Sequence, residues 1–117
     1  MPVAHDALTA KLIEQTGFLA YSIGGFGTAA SSYGLPDNGS VTLRELLRPV
    51  TNILQASTLP ALVDADTGYG GPKQVAQTVK AYERAGAAAI FIEDQIWPKR
   101  CGHTNGHKLV STHAMQQ

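Results

Sequence analysis

Apolar positions in the first quarter of the chain change from a helical spacing to a continuous run. Asp6 stands before residues 7–14, and a short acceptor side chain at such a place predicts the start of a helix. Residues 18–23 are apolar and aromatic, which predicts a buried strand. The glycine-rich residues 24–27 follow and predict a loop. The apolar stripe of the helix is formed by Leu8, Leu12 and Ile13.

The middle of the chain predicts two helices separated by a turn-rich segment. Residues 28–33 fit a short helix, and residues 34–40 are rich in the glycine, proline, asparagine and aspartate that favour turns. Thr42 and Glu45 match a capping box at the start of the second helix. Pro49 falls inside that helix, where proline costs about 3 kcal/mol. We therefore expect a kink or an early end at this point.

The rest of the chain predicts a strand, a helix and another strand. Residues 61–66 form a short apolar run that ends in acid, and residues 87–92 form a second apolar run directly before Glu93. Both runs predict buried strands. The helix between them presents an apolar face formed by Val75, Val79 and Tyr82.

This alternation of strands and helices indicates the fold class. Strands that are apolar throughout are typical of parallel sheets whose two faces are covered by helices. We therefore predict an α/β fold in which all 117 residues belong to one domain. In such folds, functional side chains lie at the carboxyl ends of the strands.

Composition excludes several functional classes. Nine Lys and Arg residues balance nine Asp and Glu residues, and no basic cluster indicates binding to nucleic acid. No apolar run reaches the roughly 18 residues that a membrane span needs. Cys101 is the only cysteine, which excludes a disulfide within the chain and suits a reducing compartment. We expect a cytoplasmic protein without nucleic acid or membrane partners.

Three acidic residues follow the last two predicted strands. Asp64 and Asp66 are two positions apart, so their side chains would share one face of a regular strand. Glu93 ends the next strand along the chain. Three carboxylates at one sheet edge are ligands that Mg²⁺ or Mn²⁺ prefers. The same spacing fits acids that only cap the following helices.

Residues 99–103 combine two cations with a thiol and an imidazole (Lys99, Arg100, Cys101, Gly102 and His103). Cations and a histidine beside a thiol favour the thiolate, which makes Cys101 a candidate acid–base group. Gly102 would let a substrate approach the backbone. A solvated basic loop with an incidental cysteine fits the pattern equally well. A soft-metal site formed by Cys101, His103 and His107 is a further alternative.

Two other features are candidates for contacts with a ligand. The glycines at residues 24–27 follow a strand, and glycine loops offer backbone N–H groups to anions. They lack the order of a dinucleotide-binding fingerprint, and a plain tight turn also explains them. Asp37 lies between Pro36 and Asn38, where aspartate commonly serves the turn itself.

Together these motifs resemble the isocitrate lyase/phosphoenolpyruvate mutase superfamily. The resemblance is carried by GLPD at residues 34–37, LVDADTGYG at 62–70, GAAAIFIEDQ at 86–95 and KRCGH at 99–103. It extends over nearly the whole chain and is strongest for the branch of 2-methylisocitrate and dimethylmalate lyases, which includes proteins named carboxyvinyl-carboxyphosphonate phosphorylmutase. The phosphonate-forming mutases lack the cysteine block, so Cys101 favours cleavage of a carbon–carbon bond.

The resemblance implies a metal site and a substrate site. The implied ligands of Mg²⁺, or of Mn²⁺ in its place, are Asp64, Asp66 and Glu93. The substrate is implied to be a 2-hydroxy or 2-oxo carboxylic acid. Its carboxylate would rest on backbone amides, and the implied substrate-binding residues are Gly24, Gly25, Phe26, Cys101 and Gly102.

The resemblance also implies catalytic roles. Asp37 would orient metal-bound water and the substrate. Lys99 and Arg100 would lie in a gating loop. Cys101 would protonate the leaving enolate, and His103 would tune this thiol.

The implied fold is a (β/α)8 barrel of the TIM type, usually tetrameric. Such a barrel takes about 250 residues, so we expect this chain to be roughly the N-terminal half of one and inactive alone. The implied reaction cleaves a 2-hydroxy di- or tricarboxylate to pyruvate or glyoxylate plus a dicarboxylate. The alternatives are a phosphoenolpyruvate mutase-like enzyme, an oxaloacetate-processing enzyme and a non-catalytic remnant. Family lyases commonly carry serine or threonine where this chain has Gly24, which leaves the substrate open.

Overall fold

A computed structural model describes residues 1–116. In that range the strands are β1 (Val3–Ala4), β2 (Tyr21–Ile23), β3 (Ala61–Asp64) and β4 (Ala89–Phe91). The helices of the same range are α1 (Ala7–Gln15), α2 (Gly25–Tyr33), α3 (Leu43–Gln55), α4 (Pro72–Ala85) and α5 (Thr112–Met115). No helix within residues 1–116 is both long and apolar enough to cross a bilayer.

The strands form one parallel sheet in the order β1-β2-β3-β4. This is the sequential order of strands in a (β/α)8 barrel. The predicted α/β class with parallel strands is therefore confirmed. The register pairs Ile23 with Val63 and Asp64 with Phe91, so β2, β3 and β4 end at a common edge.

The main core lies where the sheet meets the flanking helices. α1 packs on α3, and α3 packs on α4. The hydroxyl of the buried Tyr21 donates to the carbonyl of Ile53 at 3.3 Å, which ties β2 to the end of α3. The buried core residues are Ala4, Ala10, Ile13, Tyr21, Ile23, Val50, Ile53, Ala61, Val63, Ala65 and Tyr82.

The strands are shorter and less covered than their apolar runs predicted. Leu19 precedes β2 and is 87% exposed, because pairing of this segment with the neighbouring loop begins only at Tyr21. Ala89 and Phe91 of β4 are exposed, so the prediction of a buried strand is wrong in this chain. The physical reason is that β4 is an edge strand of the described sheet, with α4 as its nearest packed helix.

Two predicted apolar helix faces are only partly correct. In α1, Ile13 is buried but Leu8 and Leu12 are exposed. In α4, Val79 is exposed, and the buried positions are Thr78 and Tyr82. The Thr78 hydroxyl donates to the carbonyl of Gly68 at 3.0 Å, which satisfies this polar group inside the protein.

Helix α3 continues through Pro49, so the predicted early end is wrong. Proline lacks the amide hydrogen that would bond to the carbonyl of Glu45 four residues earlier. The hydroxyl of Tyr33 donates to this carbonyl at 2.8 Å and replaces the missing hydrogen bond. The predicted capping box of Thr42 and Glu45 is confirmed at the start of the helix.

The glycine run after β2 is the start of a helix, which corrects the prediction of a loop. α2 begins at Gly25 rather than at residue 28, and Gly24 caps it. Glycine at positions 25 and 27 lets this end of the helix approach its neighbours closely. A Cβ atom on Gly27, for example, would lie 3.1 Å from the Cβ atom of His5.

Candidate active site

Two strand ends and two connecting segments supply the residues of the candidate site. Asp64 is the last residue of β3, and Glu93 follows the end of β4. Since Asp64 pairs with Phe91, these acids lie on neighbouring strand ends. Asp37 comes from the segment between α2 and α3, and Lys99 comes from the segment after β4.

Asp66 lies in a turn beyond β3, so it does not share a regular strand face with Asp64 as the spacing predicted. Its φ angle of 49° is in the left-handed region, which aspartate tolerates better than most residues. The Asp66 amide donates to Oδ1 of Asp64 at 2.9 Å. The amide of Glu93 donates to the Asp66 carbonyl at 2.7 Å. These bonds fix the turn against both strand ends.

Four acids, Asp37, Asp64, Asp66 and Glu93, form an acidic cluster. Lys99 lies at its centre and is only 1% exposed. Its Nζ atom lies 2.8 Å from Oδ1 of Asp37 and 3.3 Å from Oε2 of Glu93. It also donates to Oδ1 of Asp66. The alternative of a solvated basic loop is therefore wrong for Lys99, because its ammonium group is enclosed by three carboxylates.

Asp64 is held by backbone groups instead of by a cation contact. Its Oδ2 atom accepts from the amide of Gly25 at 3.2 Å, at the first residue of α2. A Cβ atom on Gly25 would lie 3.3 Å from both Oδ2 of Asp64 and Oδ1 of Asp66. Glycine at this position therefore leaves room beside both carboxylates.

Burial and ion pairing act in opposite directions on the charges of this cluster. Burial raises the pKa of Asp64, opposed mainly by the hydrogen bond from the Asp66 amide. Burial also raises the pKa of Glu93, and the charge of Lys99 opposes it. Burial alone would lower the pKa of Lys99, but its hydrogen bonds to Asp37 and Asp66 outweigh that effect and raise it. Lys99 therefore stays protonated.

Two tyrosines close the cluster from the side of α4. The hydroxyls of Tyr69 and Tyr82 are 3.2 Å apart. Burial raises the pKa of Tyr82 to about 12 and raises that of Tyr69 further. Both hydroxyls therefore stay protonated at neutral pH. Tyr69 has a φ angle of 62°, so the turn that carries Asp66 contains a second residue in the left-handed region.

Gln95 anchors the segment that carries Lys99, and sequence reasoning did not identify it as a site residue. Its Nε2 atom donates to Oε2 of Glu93 at 2.9 Å and to the Arg100 carbonyl at 2.8 Å. Its Oε1 atom accepts from the Arg100 amide at 3.0 Å. The signal available in the sequence is that Gln95 lies two positions after Glu93, the spacing that places extended side chains on one face.

A cavity of about 590 Å³ lies beside the acidic cluster. The cavity is lined by the start of α2, by the ends of β3 and β4, and by part of residues 99–107, which we call the cysteine segment. Nine predicted site residues are part of the lining: Gly24, Gly25, Phe26, Asp37, Asp64, Glu93, Cys101, Gly102 and His103. The other two, Asp66 and Lys99, are buried next to it. The fold therefore brings the predicted residues to one place.

The cysteine segment gives less support to two interpretations of the sequence: that His103 tunes the Cys101 thiol, and that Cys101, His103 and His107 bind a soft metal. His103 is exposed, and within residues 1–116 it makes no hydrogen bond to Cys101. His107 instead contacts the carbonyl of Thr104 through Nδ1 at 3.2 Å. In the part of the chain that the structure describes, no group of three His, Cys, Asp or Glu side chains is arranged to hold a metal ion. The soft-metal alternative therefore has no geometric support.

The acidic cluster nevertheless has the chemistry of a site for a hard divalent cation. Its donors are all carboxylate oxygens, which suit Mg²⁺ and Mn²⁺. The cluster holds four acidic side chains and one ammonium group, which contacts three of them, so negative charge is in excess. The space beside Gly25 adjoins two of the carboxylates. The residues therefore fit a divalent cation, provided that Lys99 gives up the oxygens it contacts.

Comparison with known proteins identifies the family. The phosphoenolpyruvate phosphomutase family matches residues 1–117. The chain belongs to this family. The resemblance drawn from the motifs of the acidic cluster and the cysteine segment is thus confirmed.

The curated relatives of this family member include carbon–carbon lyases. The chain is 46% identical over 114 residues to 2,3-dimethylmalate lyase of Eubacterium barkeri, covering 97% of this chain and 39% of the relative. It is 46% identical over 110 residues to 2-methylisocitrate lyase of Shewanella oneidensis, covering 94% of this chain and 38% of the relative. The chain thus spans about two fifths of the length of these relatives.

Solved structures of other family members superpose closely. Oxaloacetate acetylhydrolase in complex with the inhibitor 3,3-difluorooxalacetate matches with a TM-score of 0.93 and 39% identity, covering 98% of this chain and 39% of that protein. Phosphonopyruvate hydrolase in complex with oxalate and Mg²⁺ matches with a TM-score of 0.84 and 36% identity, covering 97% and 38%. The family fold is therefore shared by enzymes with different reactions.

Proposed function

We propose that the protein is a Mg²⁺-dependent carbon–carbon lyase. It would cleave a 2-hydroxy di- or tricarboxylate to pyruvate or glyoxylate plus a dicarboxylate. The observation that carries this proposal is the cavity that joins Asp64 and Glu93 to Cys101. The sequence similarity to dimethylmalate and methylisocitrate lyases supports it. We assign the activity to a polypeptide in which the remaining part of the fold accompanies this chain, and we propose a cytoplasmic homo-oligomer, such as a tetramer.

Asp64, Asp66 and Glu93 are the proposed holders of the divalent cation, which can be Mg²⁺ or Mn²⁺. When bound, the cation stabilises the negative charge that develops on substrate oxygens. The oxygen donors of the cluster support this assignment. A relative in this family, phosphonopyruvate hydrolase, has been solved with oxalate and Mg²⁺. The proposal extends that combination of cation and small dicarboxylate to this chain.

The start of α2 is the proposed binding place for a substrate carboxylate. Residues Gly24, Gly25 and Phe26 line the cavity there. The first amides of a helix lack partners inside the helix and favour negative charge, so they suit an anion. The Gly25 amide already donates to Asp64, so the substrate carboxylate would use the amide of Phe26. Gly102 borders the same cavity and allows close approach of the ligand to the backbone. The correction from loop to helix end therefore supplies a stronger physical reason for this assignment.

Cys101 is the proposed acid of the reaction. It is partly exposed and borders the cavity, so its thiol can reach a bound ligand. Cleavage leaves an enolate whose carbon needs a proton, and the thiol would donate it. Asp37 and Lys99 would orient the substrate, and His103 would shape the charge around the thiol.

A second candidate is an oxaloacetate-processing or mutase-like reaction. The close superposition on oxaloacetate acetylhydrolase favours it, since that enzyme shares the fold and 39% of the aligned residues. Gly24 also departs from the serine or threonine common in the family's lyases. A non-catalytic protein that retains the cation site is the alternative from another functional class.

An assay of the purified polypeptide that contains this chain together with the remaining part of the fold, run with a substrate panel, tests the proposal. The panel contains 2-hydroxy di- and tricarboxylates, oxaloacetate and phosphonopyruvate, with 2-oxo acid release as the signal. We expect cleavage of a 2-hydroxy acid that a chelator abolishes and that Mg²⁺ or Mn²⁺ restores. Turnover of oxaloacetate or phosphonopyruvate alone would favour the second candidate. A folded protein that binds the cation and converts none of them would contradict the enzyme proposal.

A further inference from the structure

The ammonium group of Lys99 contacts the same oxygens that the proposed function assigns to a divalent cation. It donates to Oδ1 of Asp66 and lies 3.3 Å from Oε2 of Glu93. Its third carboxylate partner is Asp37 at 2.8 Å. The side chain of Lys99 has no exposed surface in this position. Two of the three proposed cation ligands are therefore already paired with a positive charge.

We infer that Lys99 is the resident cation of this cluster and that a divalent cation binds by exchanging with it. In the exchanged state the carboxylates of Asp66 and Glu93 would hold the divalent ion, and the Lys99 ammonium would turn toward the cavity. This inference rests on the proposed function, because it uses the same carboxylates as cation ligands. It adds that cation affinity is set by competition with a residue of this chain.

Electrostatics makes joint occupancy unfavourable. An ammonium group and a divalent ion in contact with the same oxygen would repel each other strongly where water does not screen them. Each is favourable alone, because the acidic side chains outnumber the single ammonium group. Asp64 does not contact Lys99 and keeps space beside Gly25, so it offers the first contact for an incoming ion.

The surroundings of Lys99 allow the side chain to move while the backbone stays. A cavity of about 710 Å³ is lined by Lys99 together with Phe26, Asp37, Cys101 and His103. The next residue, Arg100, is anchored at both its amide and its carbonyl by Gln95. Rotation of the Lys99 side chain can therefore carry its charge to the side of the cavity where Cys101 lies. Exchange would therefore bring the Lys99 charge beside a bound carboxylic acid substrate only after the divalent ion has bound.

Calorimetric titration with Mn²⁺ and Mg²⁺, without substrate, tests the exchange. We expect Lys99→Met to bind either ion at least tenfold more tightly than the unmodified protein, because the competitor is gone. Arg100→Met is the matched control, since it removes a neighbouring charge that pairs with none of these acids within residues 1–116. The affinity of Arg100→Met for either ion should differ by less than threefold from that of the unmodified protein.

A labelling experiment on the unmodified protein provides a second readout that needs no variant. Acylation of lysines, followed residue by residue with mass spectrometry, should be slow at Lys99 without divalent ion. Saturating Mg²⁺ should raise the Lys99 rate at least tenfold and leave the exposed Lys80 unchanged. If Lys99→Met does not fold, this measurement decides alone.

The outcomes separate this inference from the proposed function. Equal or weaker cation binding by Lys99→Met, or a Lys99 that stays unreactive at saturating Mg²⁺, would overturn the exchange and leave the lyase proposal standing. An increase in Arg100→Met as large as in Lys99→Met would also overturn it, because the effect would then be one of net charge. Absence of cation binding in all three proteins would overturn both proposals.

Discussion

Replacing Cys101 by serine is expected to lower kcat by about 10²–10⁴-fold, the usual contribution of a positioned acid or base. Serine keeps the size of the side chain but is a much weaker acid than a thiol. Cys101 borders the cavity without contacting the buried carboxylates through any hydrogen bond within residues 1–116. The affinity for Mg²⁺ should therefore stay the same. Steady-state rates and calorimetric titration of the same preparations measure the two quantities.

His107→Ala is the control for this variant, because His107 lies in the same segment and outside the proposed machinery. Its ring contacts the carbonyl of Thr104, so its loss should leave turnover within about twofold of the unmodified protein. Unchanged turnover in Cys101→Ser would remove the thiol from the mechanism. A joint loss of activity in both variants would revive the soft-metal alternative.

Replacing Asp66 by asparagine is expected to weaken Mg²⁺ binding by about 100-fold and to abolish turnover. Asparagine tolerates the left-handed backbone that Asp66 adopts, so the turn can be kept while the charge is lost. The substitution also removes one carboxylate partner of the buried Lys99 ammonium group. Because a hydrogen bond to a charged group contributes about 1.5–3 kcal/mol, the free energy of unfolding should fall as well. Calorimetry measures the affinity for Mg²⁺, a rate assay measures turnover, and urea-induced unfolding measures the free energy of unfolding.

Asp94→Asn is the matched control for Asp66→Asn. Asp94 follows Glu93 directly but is exposed, and its backbone carbonyl, not its side chain, bonds to Val110. The Asp94→Asn substitution removes one negative charge close to the acidic cluster without removing a partner of Lys99. We expect cation affinity within about threefold of the unmodified protein. Similar losses in the two variants would mean that overall charge, and not the Asp66 carboxylate, determines binding.

The sequence was sufficient to predict the architecture and the edge at which the acids gather. The alternation of apolar runs and helical patterns predicts a parallel sheet, and parallel strands place their carboxyl ends together. Asp64 and Glu93 follow from this rule alone, because Asp64 ends β3 and Glu93 follows the end of the neighbouring β4. Helix ends were equally readable where side chains cap them, as Asp6 does by accepting from the amide of Thr9 at 2.7 Å.

Contacts between distant segments could not be predicted from local pattern. Lysine is rarely buried, so a lysine beside arginine and glycine predicts a solvated loop. Lys99 is buried because carboxylates from two other segments and from the start of its own segment enclose it. Glycine disfavours helices, so residues 24–27 predict a loop. The close contact between Gly25 and Asp64 stabilises a helix start there instead.

A thermal melt of the purified protein tests the central claim most directly, with Mg²⁺ and pyruvate added separately and together. Ligands that bind only the folded state at 100 times their Kd stabilise it by about 2.7 kcal/mol. We predict a cooperative transition whose Tm rises with Mg²⁺ and rises further with both ligands, and no rise in Asp66→Asn. A Tm that ignores both ligands, or that rises equally in Asp66→Asn, would contradict a cation-dependent site at this sheet edge.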